Sequence, residues 1–326
     1  MREPQQGTRL AGTPEGGHLS TELTFPLLGA GGEPVDLTRT LNSHGFVDLP
    51  PLRPAADYRS LELTIPLERS RPRVVRIEPG PPGHGRIMVL GPAISARARE
   101  RIASVVRRVL RLDADLSPFY AVAATDPALA WVATGAGRMI QSPTVFEDVV
   151  KTICTTNCAW SATVRMVTAL VANLGESAAG VRADGAYARA FPSPAAMAQA
   201  PESFYRDVVR AGYRGAYLIA LARSVAEGVL DLEALGRASA DELSDEELAE
   251  RLLALPGVGP YAAAHIMMTV GRYSRLILDS WSRPTYAKLV RRPTVTDIAI
   301  ARRFRRYGPY AGLAFWLFIT RDWVTA

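Results

Sequence analysis

The stretch LPGVGPYAAAHIMMTVGRYSRLILDSW occupies residues 255–281 and decides how the rest of the chain is read. Leu252, Leu253 and Leu255 end one apolar-periodic run, Pro256 to Gly259 form a turn, and Pro260 opens the next helix, where a missing N–H costs nothing. The pattern predicts two helices folded back on each other. Glycines at 257 and 259 permit positive φ and carry no side chains, so backbone N–H groups can approach a neighbouring group closely. The N-terminal dipole of the second helix adds to this, and the combination suits a phosphate. A Gly-containing turn between packed helices also occurs with no ligand, so the turn alone does not decide. Asp279 is the one carboxylate that follows shortly after the second helix, behind the apolar run Arg275-Leu276-Ile277-Leu278.

Moving outward, 326 residues with 48% hydrophobic content can form one large or two modest domains with a substantial core. The formal charge of +6 shifts the expectation slightly towards a polyanionic partner. Only two of the 38 basic residues are lysines, Lys151 and Lys288. The two cysteines, Cys154 and Cys158, have helical spacing and are too few for a metal cage or a disulfide framework. Neither a leader-like apolar run nor an uninterrupted membrane span is found, so the expected setting is cytoplasmic, without membrane contact.

Residues 1–20 read as a frayed or disordered start. From there to about residue 92, short extended segments (LTFPLL, SLELTIPLE, RVVRIEP, GRIMVLG) alternate with Gly and Pro clusters and predict a small antiparallel sheet. Ile94, Ile102, Val105, Val106, Val109 and Leu110 then mark an amphipathic helix over 94–112. Further helices are expected over 143–156, 160–174, 193–209, 214–227, 244–254, 260–271, 280–290, 295–306 and 309–323, with starts such as SPTVFED, SPAAM and SDEELAE. The fold class is therefore α+β: a small N-terminal antiparallel β-sheet domain (21–112) followed by an all-helical core (113–326).

The hairpin LPGVG followed by AAAHI, with Tyr261 and Asp279 eighteen positions apart, resembles the signature of the helix-hairpin-helix DNA glycosylases. The segments PTVFEDVVKTICTTNCAWSATVRMVTALVANLG (143–175) and AGYRGAYLIALARSV (211–225) are similar to the 3-methyladenine and 8-oxoguanine branches of that superfamily. The resemblance implies that Gly257, Val258 and Gly259 hold a phosphate of double-stranded DNA. It also implies a monovalent cation, Na+ or K+, on the carbonyls of Leu253, Leu255 and Val258. Asp279 is implied as the catalytic acid, with helix capping as its plainer role. Tyr261 and Trp281 would line the pocket of a flipped-out base, packing being the alternative for each. Asn157, Tyr213 and Arg214 would sit beside the orphaned partner base; a helix cap and a packed tyrosine with a surface arginine are the alternatives. Cys158 stands where the oxidised-purine branch carries a second asparagine.

Bifunctional relatives carry a lysine nucleophile where this chain has Tyr261, and neither lysine stands there, which predicts base removal without strand cleavage. Residues 280–326 contain no cysteine, so the iron-sulfur cluster of other branches is not expected. His265 is expected to be a hydrogen-bonded interior histidine without a catalytic role. The expected function is a monomeric, monofunctional DNA N-glycosylase of base excision repair acting on an alkylated purine. An oxidised-purine glycosylase and a non-catalytic DNA-binding module are the alternatives.

Overall fold

The computed structural model describes residues 21–324; the expectation for residues 1–20 lies outside them. The extended segments form a five-stranded antiparallel sheet from β1 (Thr21–Pro26), β2 (Arg53–Pro54), β3 (Leu61–Leu67), β4 (Ser70–Pro79) and β5 (His84–Val89), in the order β1-β5-β4-β3-β2. Register places Leu63 opposite Val75 and Ile77 opposite Ile87, which stacks the apolar set of each strand on one face. The β3–β4 register shifts between Ile65 and Leu67, at Pro66, which has no N–H to donate to the ladder.

Helix α2 (Ala96–Val109) lays Ile102, Val105, Val106 and Val109 on that face. The other face is covered too: Val74 packs against Ala178 and Ala188, and Glu62, 2% exposed, is paired with Arg76 at 2.6 Å. A long excursion between the core helices therefore folds back onto the sheet, which its own sequence did not announce. Pro54 and the short α1 (Leu37–Leu41) complete the N-terminal part.

The helices that follow are α3 (Ser117–Ala123), α4 (Val145–Thr155), α5 (Trp160–Leu174), α6 (Pro194–Gln199), α7 (Arg214–Ala226), α8 (Leu232–Arg237), α9 (Asp245–Leu253), α10 (Pro260–Thr269), α11 (Ser282–Leu289), α12 (Asp297–Phe304) and α13 (Ala311–Thr320). The helix expected over 193–209 is instead α6 followed by a separate π turn at Phe204–Val208. Pro201 explains the break: it disfavours helical backbone at Ala200, whose ψ is 136°. Helices α3 and α8 were not anticipated; α8 is too short for its periodicity to show, although Asp231 caps it.

Helix α10 is the axle of the helical part. Ala262, Ala263, Ile266 and Met267 pack into a cluster with α4, α5, α7 and α9, whereas Ala264 and Met268 pack into a second cluster with α3, α11, α12 and α13. An apolar surface all round the helix is what burial on both sides requires. Tyr261, at its first turn, touches both clusters.

Candidate active site

A cleft of about 2280 Å³ opens where the N-terminus of α10 meets the seam between the two clusters. That exceeds the roughly 300–1,000 Å³ of ordinary small-molecule pockets, and fits a groove for part of a macromolecule. Its walls come from distant parts of the chain, among them residues 44–58, the α4–α5 turn, Tyr213 and Tyr217 of the α7 region, the hairpin with α10, the 277–281 loop, and Trp316 with Trp323.

The hairpin is built as its sequence requires. Gly257 has φ +79°, and a Cβ there would lie 2.7 Å from the Tyr217 ring. At Gly259 a Cβ would meet nothing within 4 Å, so this face of the turn is open to a ligand. Leu255 O accepts from Val258 N at 3.2 Å, whereas the carbonyls of Leu253 and Val258 accept no backbone hydrogen bond among the described residues outside regular helix. Carbonyl oxygens are hard donors of the type a hard cation takes; of the expected trio, Leu253 and Val258 leave theirs free of such bonds and Leu255 does not.

Asp279 lines the cleft, half-buried. Its Oδ1 accepts from Trp281 N at 2.9 Å and Ser282 N at 2.6 Å, and Ser282 Oγ accepts from Asp279 N at 2.8 Å. Cap and cleft carboxylate are thus the same residue: one oxygen is held by the first turn of α11, while Oδ2 accepts no hydrogen bond among the described residues. Helix α11 starts at Ser282, two residues later than the expected 280.

Tyr261 faces the same space. Thr155 Oγ1 already donates to Thr152 O, so at 3.4 Å the Tyr261 hydroxyl is left to donate to it. Burial raises the Tyr261 pKa. Trp281 both lines the cleft and packs in the core, its ring centroid 5.8 Å from that of Trp316 and 5.7 Å from that of Trp323.

Asn157 follows α4 with φ +47°, is exposed, and donates to Tyr213 Oη at 3.4 Å. Tyr213 is 52% exposed at the cleft rim, with Tyr217 at 5.9 Å between ring centroids. Arg214 is not the surface arginine of the plainer reading. It is 7% exposed and absent from the cleft lining; its guanidinium donates to the Thr156 carbonyl, to Thr156 Oγ1 at 3.3 Å and to Ala211 O at 3.5 Å. It braces the turn that presents Asn157, using three of its five N–H donors, and its guanidinium carbon lies 4.5 Å from the Tyr213 ring centroid.

No lysine lines the cleft among the described residues. Lys151 is fully buried and paired with Glu147 at 2.6 Å, and Lys288 is exposed on α11. Burial pushes the Cys154 thiol up to about 12, which keeps it protonated and inert.

No family model matches the chain. It is 24% identical over 226 residues to the DNA-3-methyladenine glycosylase of Bacillus subtilis (strain 168), spanning 67% of this chain and 72% of that protein. Among solved structures, the 3-methyladenine DNA-glycosylase of Archaeoglobus fulgidus superposes with a TM-score of 0.68 at 19% identity, over 93% of this chain and 100% of the other. The chain has the helix-hairpin-helix DNA glycosylase fold. The 8-oxoguanine glycosylase/lyase of Clostridium acetobutylicum shares it, with a TM-score of 0.62, 20% identity, and 85% and 93% of the two chains covered.

Within this glycosylase fold, sequence reasoning missed the wall made by His44, Phe46, Asp48, Arg53 and Tyr58. Nothing local marks these residues; they reach the site because the sheet domain docks beside α10. The arginines of the stretches 69–76 and 107–111 are mostly engaged within the fold. Arg76 bonds Glu62, Arg71 bonds Ser177 O, Arg107 bonds Asp113 and Arg108 bonds Glu233.

Proposed function

We propose that the chain is a monofunctional DNA N-glycosylase that extrudes a damaged purine, an N-alkylated one foremost, and hydrolyses its N-glycosidic bond. The observation that carries this reading is Asp279, clamped through Oδ1 with Oδ2 open to an aromatic-walled cleft beside the hairpin. Departure of a base builds positive charge on the sugar, and a fixed carboxylate stabilises that charge and orients water. An N-alkylated purine is already cationic and leaves readily, so no lysine nucleophile is needed. The non-catalytic alternative would call for Asp279 to be buried and paired away from any cleft, and its position speaks against that.

In this reading Gly257, Val258 and Gly259 seat a phosphate of double-stranded DNA. A monovalent cation held by Leu253, Leu255 and Val258 would add positive charge beneath that phosphate. Tyr213 and Asn157 fill the gap left by the extruded nucleotide, at a cost of a few kcal/mol for unstacking. The names of the related proteins support the glycosylase class and divide between alkylated and oxidised bases. An oxidised purine is the second reading, favoured by the Asn157–Tyr213 pair at the rim. Action on DNA suits a nucleoid-associated, cytoplasmic setting, and the chain is proposed to act as a monomer.

The test is incubation with duplexes carrying one defined lesion each, with and without alkali, and with borohydride. Strand breaks that need alkali, with no borohydride-trapped adduct, are expected. Breaks without alkali would overturn the monofunctional reading; inactivity on every lesion would overturn the enzyme.

A further inference from the structure

His265 was expected to be a hydrogen-bonded interior residue. Its ring is 5% exposed and lines the cleft floor, yet Nδ1 is buried with no hydrogen-bond partner. The neighbouring His44 shows the contrast: its Nε2 lies 2.5 Å from Ile140 O, and its Nδ1 accepts from Phe46 N at 3.3 Å. Around His265 stand Phe46, with ring centroids 4.5 Å apart, His44 at 5.8 Å and Tyr261 at 6.1 Å. His265 follows Tyr261 by four positions on α10, so both rings face the same side. A buried polar atom left unpaired is destabilising, and an apolar ring would avoid that penalty in this aromatic wall. Nε2, the other ring nitrogen, also makes no hydrogen bond among the described residues but is not buried, so it is the atom through which a ligand in the cleft can bond the imidazole.

Resting on the glycosylase reading above, we infer that His265 is the residue that recognises the edge of the extruded purine, through a hydrogen bond to its imidazole, with Phe46 and Tyr261 beside the base. Burial, with a smaller contribution from His44, pushes the His265 pKa down to about 3, so the ring is neutral at physiological pH. A neutral imidazole has one donor and one acceptor, and places no positive charge next to a base made cationic by N-alkylation.

The experiment measures single-turnover base release from duplexes containing 7-methylguanine, 8-oxoguanine or hypoxanthine. It uses the full chain, His265→Phe and His265→Asn, together with their affinities for a duplex carrying a tetrahydrofuran abasic analogue. His265→Phe should slow release of the preferred base by about 10- to 100-fold. Affinity for the abasic duplex, which has no base to recognise, should stay within about twofold, and His265→Asn should restore part of the rate because it keeps a donor and an acceptor. A His265→Phe rate within about threefold of the wild type, or a loss that His265→Asn does not restore, would overturn the inference. If His265→Phe does not fold, His265→Leu against His265→Asn gives the same comparison. A wild-type chain inactive on all three lesions sinks the glycosylase reading and this inference together; an active chain indifferent to His265→Phe sinks only this one.

Discussion

Replacing Asp279 by Asn separates the two roles that one side chain combines. Oδ1 receives the Trp281 and Ser282 N–H groups at 2.9 and 2.6 Å, and an asparagine carbonyl can accept both. Asn is as good a cap as Asp, so the stability loss should be a few tenths of a kcal/mol, against about 1 kcal/mol for Asp279→Ala. The charge facing the sugar disappears in either variant. Losing one preorganised electrostatic contact to a transition state typically costs about 10²- to 10³-fold in rate, or roughly 2.7–4 kcal/mol. Single-turnover base release with excess enzyme, read after alkali treatment, isolates the chemical step, and thermal melting reports the cap. Asp279→Asn should therefore melt close to the wild type yet release base at least about a hundredfold more slowly. If it retains a rate within about threefold of wild type while Asp279→Ala unfolds early, Asp279 is a cap and nothing more.

Arg214→Ala removes the donors that hold Thr156 O, leaves that carbonyl short of a partner, and should lower stability by about 1–3 kcal/mol; an unchanged denaturant midpoint would contradict the bracing role. Gly257→Ala places a Cβ 2.7 Å from Tyr217 at φ +79°. At about 1.4 kcal/mol per decade, strain of 1–2 kcal/mol should weaken duplex binding, measured by anisotropy at fixed salt, by about tenfold. Burial raises the Asp148 pKa to about 7, partly offset by hydrogen bonds from Ser142. The folded chain therefore binds this proton more tightly than the unfolded one, and stability from Asp148 is present at about pH 4 and lost as pH rises through about 7. Asp148→Asn should flatten the fall in melting temperature across that window, and parallel profiles for the two proteins would refute the assignment.

Much of the helical scaffold could be read locally because its signals are local. The span 160–174 matches α5, Pro260 opens α10, and Gly257 adopts the positive φ that its place in the turn suggested. The Tyr261–Asp279 spacing and the scarcity of lysine are likewise properties of the linear chain. Proline 201, by contrast, had to be weighed against a helical pattern running through it, and the backbone restriction prevailed.

What depended on tertiary structure involves partners far apart in sequence. Arg214 looked like a surface arginine because the carbonyl it holds, at Thr156, lies 58 residues away. Phe46 gave no hint of a role in the cleft until the sheet domain docked its ring 4.5 Å from His265. Whether a histidine on an apolar helix finds a hydrogen bond depends on what the rest of the chain brings to it, and here Nδ1 meets aromatic rings and no acceptor or donor. Spacing along the chain located the carboxylate of this site, but only the packing of the sheet domain and two helical clusters around α10 left one of its oxygens facing open space.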